Sequence, residues 1–120
     1  PISFVLAYPD RISNSVKKLE LGKIKKLTFF EPDLEKFPCL ELAYEALKIK
    51  KSAPTILNAA NEIAVDAFLT KKIKYLSIPK LVEKTLNKAS FSNINSIKDV
   101  IEIDKNARQI AMSMIVSGKY

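Results

Sequence analysis

The sequence predicts a mainly α fold, a four-helix bundle-like C-terminal domain over residues 38–120 preceded by a short α/β segment over residues 1–37. Three observations carry that reading. After Pro38 the apolar residues recur at the helical spacing of three and four. Only two glycines occur in 120 residues and 48% of the chain is hydrophobic, the composition of a packed, helix-rich chain. The breaks between periodic stretches are short and marked by Pro, Ser and Asn, as between neighbouring helices of a bundle.

Residues 1–37 read differently from the rest. Ile2 to Tyr8 is apolar and suits either a strand or a helix end. Leu27-Thr28-Phe29-Phe30 is β-prone and stops at Glu31-Pro32-Asp33, which predicts extended structure at 27–30 and a link over 9–26. A strand there without its sheet would be an open edge for another copy of the chain. The first residues lack the basic stretch and cleavage site of a signal peptide. They also lack an initiator methionine, and the expectation is a sequence that begins inside a longer protein.

The helices follow in order. Pro38 suits a first turn, and Leu40, Ala43, Tyr44 and Leu47 repeat on one face, with Cys39, Leu42, Ala46 and Ile49 beside it. Glu41 and Glu45 precede Lys48, Lys50 and Lys51, the order that the helix dipole favours. Ser52-Ala53-Pro54 breaks this helix, and Thr55 is the expected cap of a second that runs to about Lys71. Ser77 is the expected cap of a third, Ile78 to Asn87, with Pro79 tolerated in its first turn. After the loop Ser92-Asn93-Ile94-Asn95, Ser96 and Asp99 form a weak version of a capping box. Ile97, Val100, Ile101, Ala107, Ile110, Ala111, Met114 and Ile115 carry the last helical stretch to Gly118, either as one helix or as two with Asp104 capping the second.

The second of these helices holds the distinctive segment Leu57-Asn58-Ala59-Ala60-Asn61-Glu62. Ile56, Leu57, Ala60, Ile63, Ala64, Ala67 and Phe68 fill one broad face, while Val65 and Leu69 point away between Asn58 and Glu62. A helix apolar on nearly every side is central and buried, and an unsatisfied buried polar group costs roughly 1–3 kcal/mol. Asn58, Asn61 and Glu62 therefore read as a structural polar network, with ligand contact as the sharper alternative.

Several chemistries are poorly served. The chain has one cysteine and no histidine, which leaves out an internal disulfide, the commonest metal ligand and the commonest general base. A zinc site made by this chain alone is not expected. Cys39, among Phe37, Leu40 and Leu42, reads as a small hydrophobe, and its solitude suits a reducing, cytoplasmic compartment. Neither GxGxxG nor GxxxxGK[ST] occurs. Glu31, Asp33 and Glu35 read as a cap or surface run, and Asp99, Glu102 and Asp104 suit a helix start. The net charge of +7 raises nucleic-acid binding, but the lysines lie at helix ends and links with acids interspersed, and arginine is scarce. A solvated surface is expected, with no nucleic-acid partner. No apolar stretch approaches the ~20 residues that span a bilayer, and no membrane partner is expected.

Three blocks carry a resemblance: Leu27-Thr28-Phe29-Phe30-Glu31-Pro32-Asp33, then Phe37-Pro38-Cys39-Leu40-Glu41-Leu42-Ala43, then Leu57-Asn58-Ala59-Ala60-Asn61-Glu62-Ile63-Ala64-Val65. With Ala7-Tyr8-Pro9-Asp10-Arg11, Ile97-Lys98-Asp99-Val100 and Ala107-Arg108, in this order, they resemble the C-terminal part of the 1-deoxy-D-xylulose 5-phosphate reductoisomerase family. The resemblance implies a longer, homodimeric, NADPH-dependent enzyme. It would convert 1-deoxy-D-xylulose 5-phosphate to 2-C-methyl-D-erythritol 4-phosphate on the non-mevalonate isoprenoid route, with Mg or Mn. It implies that residues 1–37 are the end and linker of a central catalytic domain and that residues 38–120 are a C-terminal helical domain. The partners of this chain would be the upstream catalytic and NADPH-binding domains of the same polypeptide. Family catalytic, cofactor and metal residues fall upstream of the matched region, so none is expected here, and the fragment would bind no cofactor and be inactive alone. The alternatives from the residues themselves are a free-standing basic helical module that binds nucleic acid and a protein-interaction bundle.

Overall fold

A computed structural model describes residues 2–120. The chain divides into two compact units, one up to Glu31 and one from Pro32 to Tyr120.

The first unit holds two short helices, α1 (Ile2–Ala7) and α2 (Leu21–Ile24). None of its described residues is buried. Ile2 to Ala7 resolves as helix rather than strand. Leu27 to Phe30 forms no strand, because ladder hydrogen bonds need a partner and no other strand occurs among the described residues. The α/β character expected of this segment is thus absent, and α2 interrupts the expected link. Within the unit the Phe4 and Tyr8 rings meet edge to face at 5.9 Å, and the Arg11 guanidinium lies 5.2 Å from the Phe4 ring centre.

The second unit is the four-helix domain: α3 (Pro38–Ile49), α4 (Ala53–Leu69), α5 (Ser77–Lys88) and α6 (Ile97–Ser117). Helix α4 is the hub and packs against each of the other three. Its inner face is made of Ala53, Ile56, Ala59, Ala60, Ala64 and Ala67, all buried. Alanines hold the neighbouring helix axes close and leave room for larger side chains from the other side. Leu81, Val82 and Leu86 of α5 and Met114 of α6 supply them, while Ala107 and Ala111 keep α6 close. This is the central, buried helix that the apolar pattern requires.

Helix ends are where the structure departs most from the sequence reading. Thr55 lies inside α4, and Ser52 stands at its start. Pro54 lacks an N–H and so fits the first turn, which lets the helix start at Ala53, two residues upstream of Thr55. The Ser52 side chain does not cap the helix. Its Oγ accepts from the Ser92 N–H at 3.0 Å, while the Ser52 N–H donates to the Ser92 carbonyl at 3.0 Å. This two-way pair ties the start of α4 to the loop after α5 and satisfies a fully buried serine. Ser77 is likewise the first helical residue of α5 rather than its cap. Buried Thr85 donates to the Leu81 carbonyl at 2.7 Å.

The last helix is one uninterrupted element. Ser96 and Asp99 make both bonds of a capping box: the Asp99 N–H donates to Ser96 Oγ at 3.2 Å, and the Ser96 N–H donates to Asp99 Oδ2 at 3.1 Å. Gly118 closes the helix with a φ of 64°, a left-handed turn in which glycine carries no Cβ penalty. Asp104 does not cap a second helix, because its carboxylate is engaged by Arg108 one turn later.

Candidate functional site

The polar cluster starts from Asn58 and Glu62, one turn apart on the exposed edge of α4. Asn58 Nδ2 donates to Glu62 Oε1 at 3.1 Å. The other Glu62 oxygen accepts from Arg108 Nη2 across the groove to α6. Arg108 Nε and Nη2 donate to the two Asp104 oxygens at 2.7 and 3.2 Å, a bidentate fork. The result is a chain Asn58–Glu62–Arg108–Asp104 that fastens α4 to α6. Asn61, the third polar residue of that segment, is half-buried and takes no part in it.

Electrostatics follow from these contacts. The Arg108 hydrogen bond, and after it the Asn58 amide, holds the Glu62 carboxyl below the ordinary glutamate range. The two acids in turn raise Arg108, Asp104 first. Asp99 is also held low, chiefly by the Asn95 N–H, which donates at 2.9 Å, and by Ser96. At neutral pH these carboxylates are therefore ionised and act only as acceptors. None is poised as a general acid, which would need a raised value.

Cys39 is exposed, yet partial desolvation pushes its thiol up. A thiol held in its protonated form is a poor nucleophile. Among the described residues, no three acids or thiols are arranged to hold a metal ion, and no helix is long and apolar enough to cross a membrane.

The sequence reading named Asn58, Asn61 and Glu62 together and did not connect Arg108 to them. The signal for Asp104 with Arg108 was present in their i,i+4 spacing. The link from Arg108 to Glu62 was not, because 46 residues separate them.

Four packed helices around an alanine-lined centre, tied by a surface ion network, define a four-helix domain. Residues 1–110 match the DXP reductoisomerase C-terminal domain, and the chain belongs to that family. It is 49% identical over 111 residues to the 1-deoxy-D-xylulose 5-phosphate reductoisomerase of Trichlorobacter lovleyi, covering 92% of this chain and 28% of that protein. With the Acetivibrio thermocellus enzyme it shares 48% identity over 115 residues, covering 96% of this chain and 30% of that protein. Among solved structures, the Zymomonas mobilis reductoisomerase in complex with NADPH superposes with a TM-score of 0.83 at 43% identity, over 95% of this chain and 30% of that one. A DOX-P reductoisomerase in complex with NADPH, fosmidomycin and magnesium superposes with a TM-score of 0.77 at 36% identity, again over 95% and 30%. The chain thus spans about 30% of the length of the relatives it matches.

Proposed function

We propose that this chain is the C-terminal helical domain of an NADPH-dependent reductoisomerase that converts 1-deoxy-D-xylulose 5-phosphate to 2-C-methyl-D-erythritol 4-phosphate, and that its own role is structural. The observation that carries this reading is the match of residues 1–110 to the family's C-terminal domain, in a chain that spans under a third of its relatives. Relatives solved with NADPH and with magnesium support the cofactors of the whole enzyme, a reduced nicotinamide nucleotide and a divalent cation. Both belong to preceding domains in this reading, since the cluster here is acceptor carboxylates already paired by Arg108. Residues 1–37 are the end of the central domain and the linker, and 38–120 the helical domain. The whole enzyme is a cytoplasmic homodimer.

Within that enzyme, Asn58, Glu62, Arg108 and Asp104 hold α4 and α6 in register, and the Ser52–Ser92 pair holds the α3–α4 junction against the loop after α5. The contribution to turnover is positional: a rigid bundle keeps its attached domain in place.

Two measurements test the reading. Intact mass of the native polypeptide that carries this sequence should come out at roughly three times the mass of this chain, as expected for several domains. Replacing the C-terminal region of the Trichlorobacter lovleyi enzyme with this chain should restore NADPH oxidation dependent on the sugar phosphate, which the truncated enzyme lacks. A folded but inactive chimera would count against the proposal.

A further inference from the structure

Helix α3 carries more apolar surface than its own bundle covers. At 100° per residue, Leu42, Ala46 and Ile49 fall on one side, where Ala46 is buried and Leu42 packs on the core. Leu40, Ala43, Tyr44 and Leu47 form a second stripe well round the helix, and Glu41, Glu45 and Lys48 form the ridge between the two. The sequence reading noted both stripes without saying which of them faces the core. In the second, Tyr44 is 51% and Leu47 65% exposed. The stripe runs on through Phe37 into an apolar groove of about 340 Å³ lined by Tyr75, Leu76 and Pro79, where Leu76 is 73% exposed. Taking roughly 200 Å² for each large apolar side chain, Phe37, Leu40, Tyr44, Leu47, Tyr75 and Leu76 together present about 700 Å². The largest apolar patch of a typical monomer is roughly 300–600 Å².

We infer that this outer face of α3, with the adjoining groove, is the seat of a preceding domain of the same polypeptide. The inference rests on the proposed function, which supplies that domain. Two arguments select it over a second copy of the chain. Covered from both sides, the patch accounts for about 1,400 Å², inside the ~600–1,500 Å² of interfaces between domains of one chain. Obligate homodimers bury about 2,000–5,000 Å². The relatives also carry more than two-thirds of their length outside the matched region, and a tethered domain meets its seat at an effective concentration in the millimolar range. An interface of this size is sufficient at that concentration.

Hydroxyl-radical footprinting of Tyr44 and Tyr75 tests the seat, in the full native polypeptide and in the 120-residue chain. Labelling of both rings should be at least fivefold lower in the full polypeptide and independent of concentration in the short chain. Leu47→Glu, on a side chain already in solvent, should leave the melting temperature of the short chain unchanged and lower that of the full polypeptide by several degrees. Equal labelling in the two proteins would overturn the inference. Protection that appears in the short chain as its concentration rises would overturn it in favour of a second copy. A native polypeptide no longer than this chain would remove the proposed function and the seat together. A long, active polypeptide with unprotected tyrosines would remove the seat alone.

Discussion

Thirteen large apolar side chains lie in residues 2–31, and every one is exposed. Thirteen apolar residues between Ile56 and Met114 form a single buried cluster, and six of them are only alanines. Apolar content therefore does not distinguish the two regions; the geometry that gathers it does. Helices α4 and α6 are 17 and 21 residues long and repeat their apolar positions over several turns, so each presents a continuous stripe to its neighbours. Helices α1 and α2 are 6 and 4 residues long. Such lengths are below what helix formation sustains without tertiary support, and they offer no stripe. Burial of a side chain stabilises the fold only when the element presenting it is long enough to be held.

The comparison breaks most visibly in the core. Leu81→Ala removes a fully buried side chain and should cost about 2–5 kcal/mol in urea denaturation of the 120-residue chain. A loss under about 1 kcal/mol would mean that the cluster is not the stabilising centre. Next in size is the α6 cap: Ser96→Ala should cost about 1 kcal/mol, and amide exchange at the first turn of α6 should rise with it. Unchanged exchange there would show that Asp99 alone holds the helix start.

A smaller effect is expected from the polar cluster. Glu62 titrates lower in the folded chain than in the unfolded one, so the stability it adds is present above the ordinary glutamate range and is lost as pH falls through its lowered folded value. Glu62→Gln should therefore flatten the acid limb of the stability–pH profile and leave the neutral and alkaline parts parallel to the parent. A parallel acid limb would mean that the Arg108 contact does not persist in solution. The smallest effect belongs to the first region, where Phe30→Ser should move the midpoint of the same unfolding transition by no more than about 0.5 kcal/mol. A larger loss would show that residues 2–31 belong to the cooperative unit after all.

Much of the four-helix domain was legible in the residues. The i, i+3, i+4 recurrence marked α3 to α6, Gly118 marked the end of α6, and Ser96 with Asp99 marked its start, because these are local devices acting over three or four positions. Reading Thr55 as the cap failed for a nonlocal reason. Serine, proline and threonine all suit a helix start, and it is the Ser92 backbone, 40 positions away, that fixes Ser52 at the junction. The burial of the Leu42 stripe of α3 was not legible, because Leu40, Ala43, Tyr44 and Leu47 are as regular as the inner stripe, and periodicity does not say which of two apolar faces the bundle takes.

The sequence by itself determined that the four stretches after Pro38 become helices, where the last of them begins and ends, and the family to which the motifs belong, since each depends on the order of neighbouring residues. Only the tertiary structure decided which face of α3 turns inward, that Arg108 joins Glu62 to Asp104, and that Leu27 to Phe30 finds no strand to pair with. Those outcomes depend on what lies beside a segment in space, and the chain brings it there from tens of residues away.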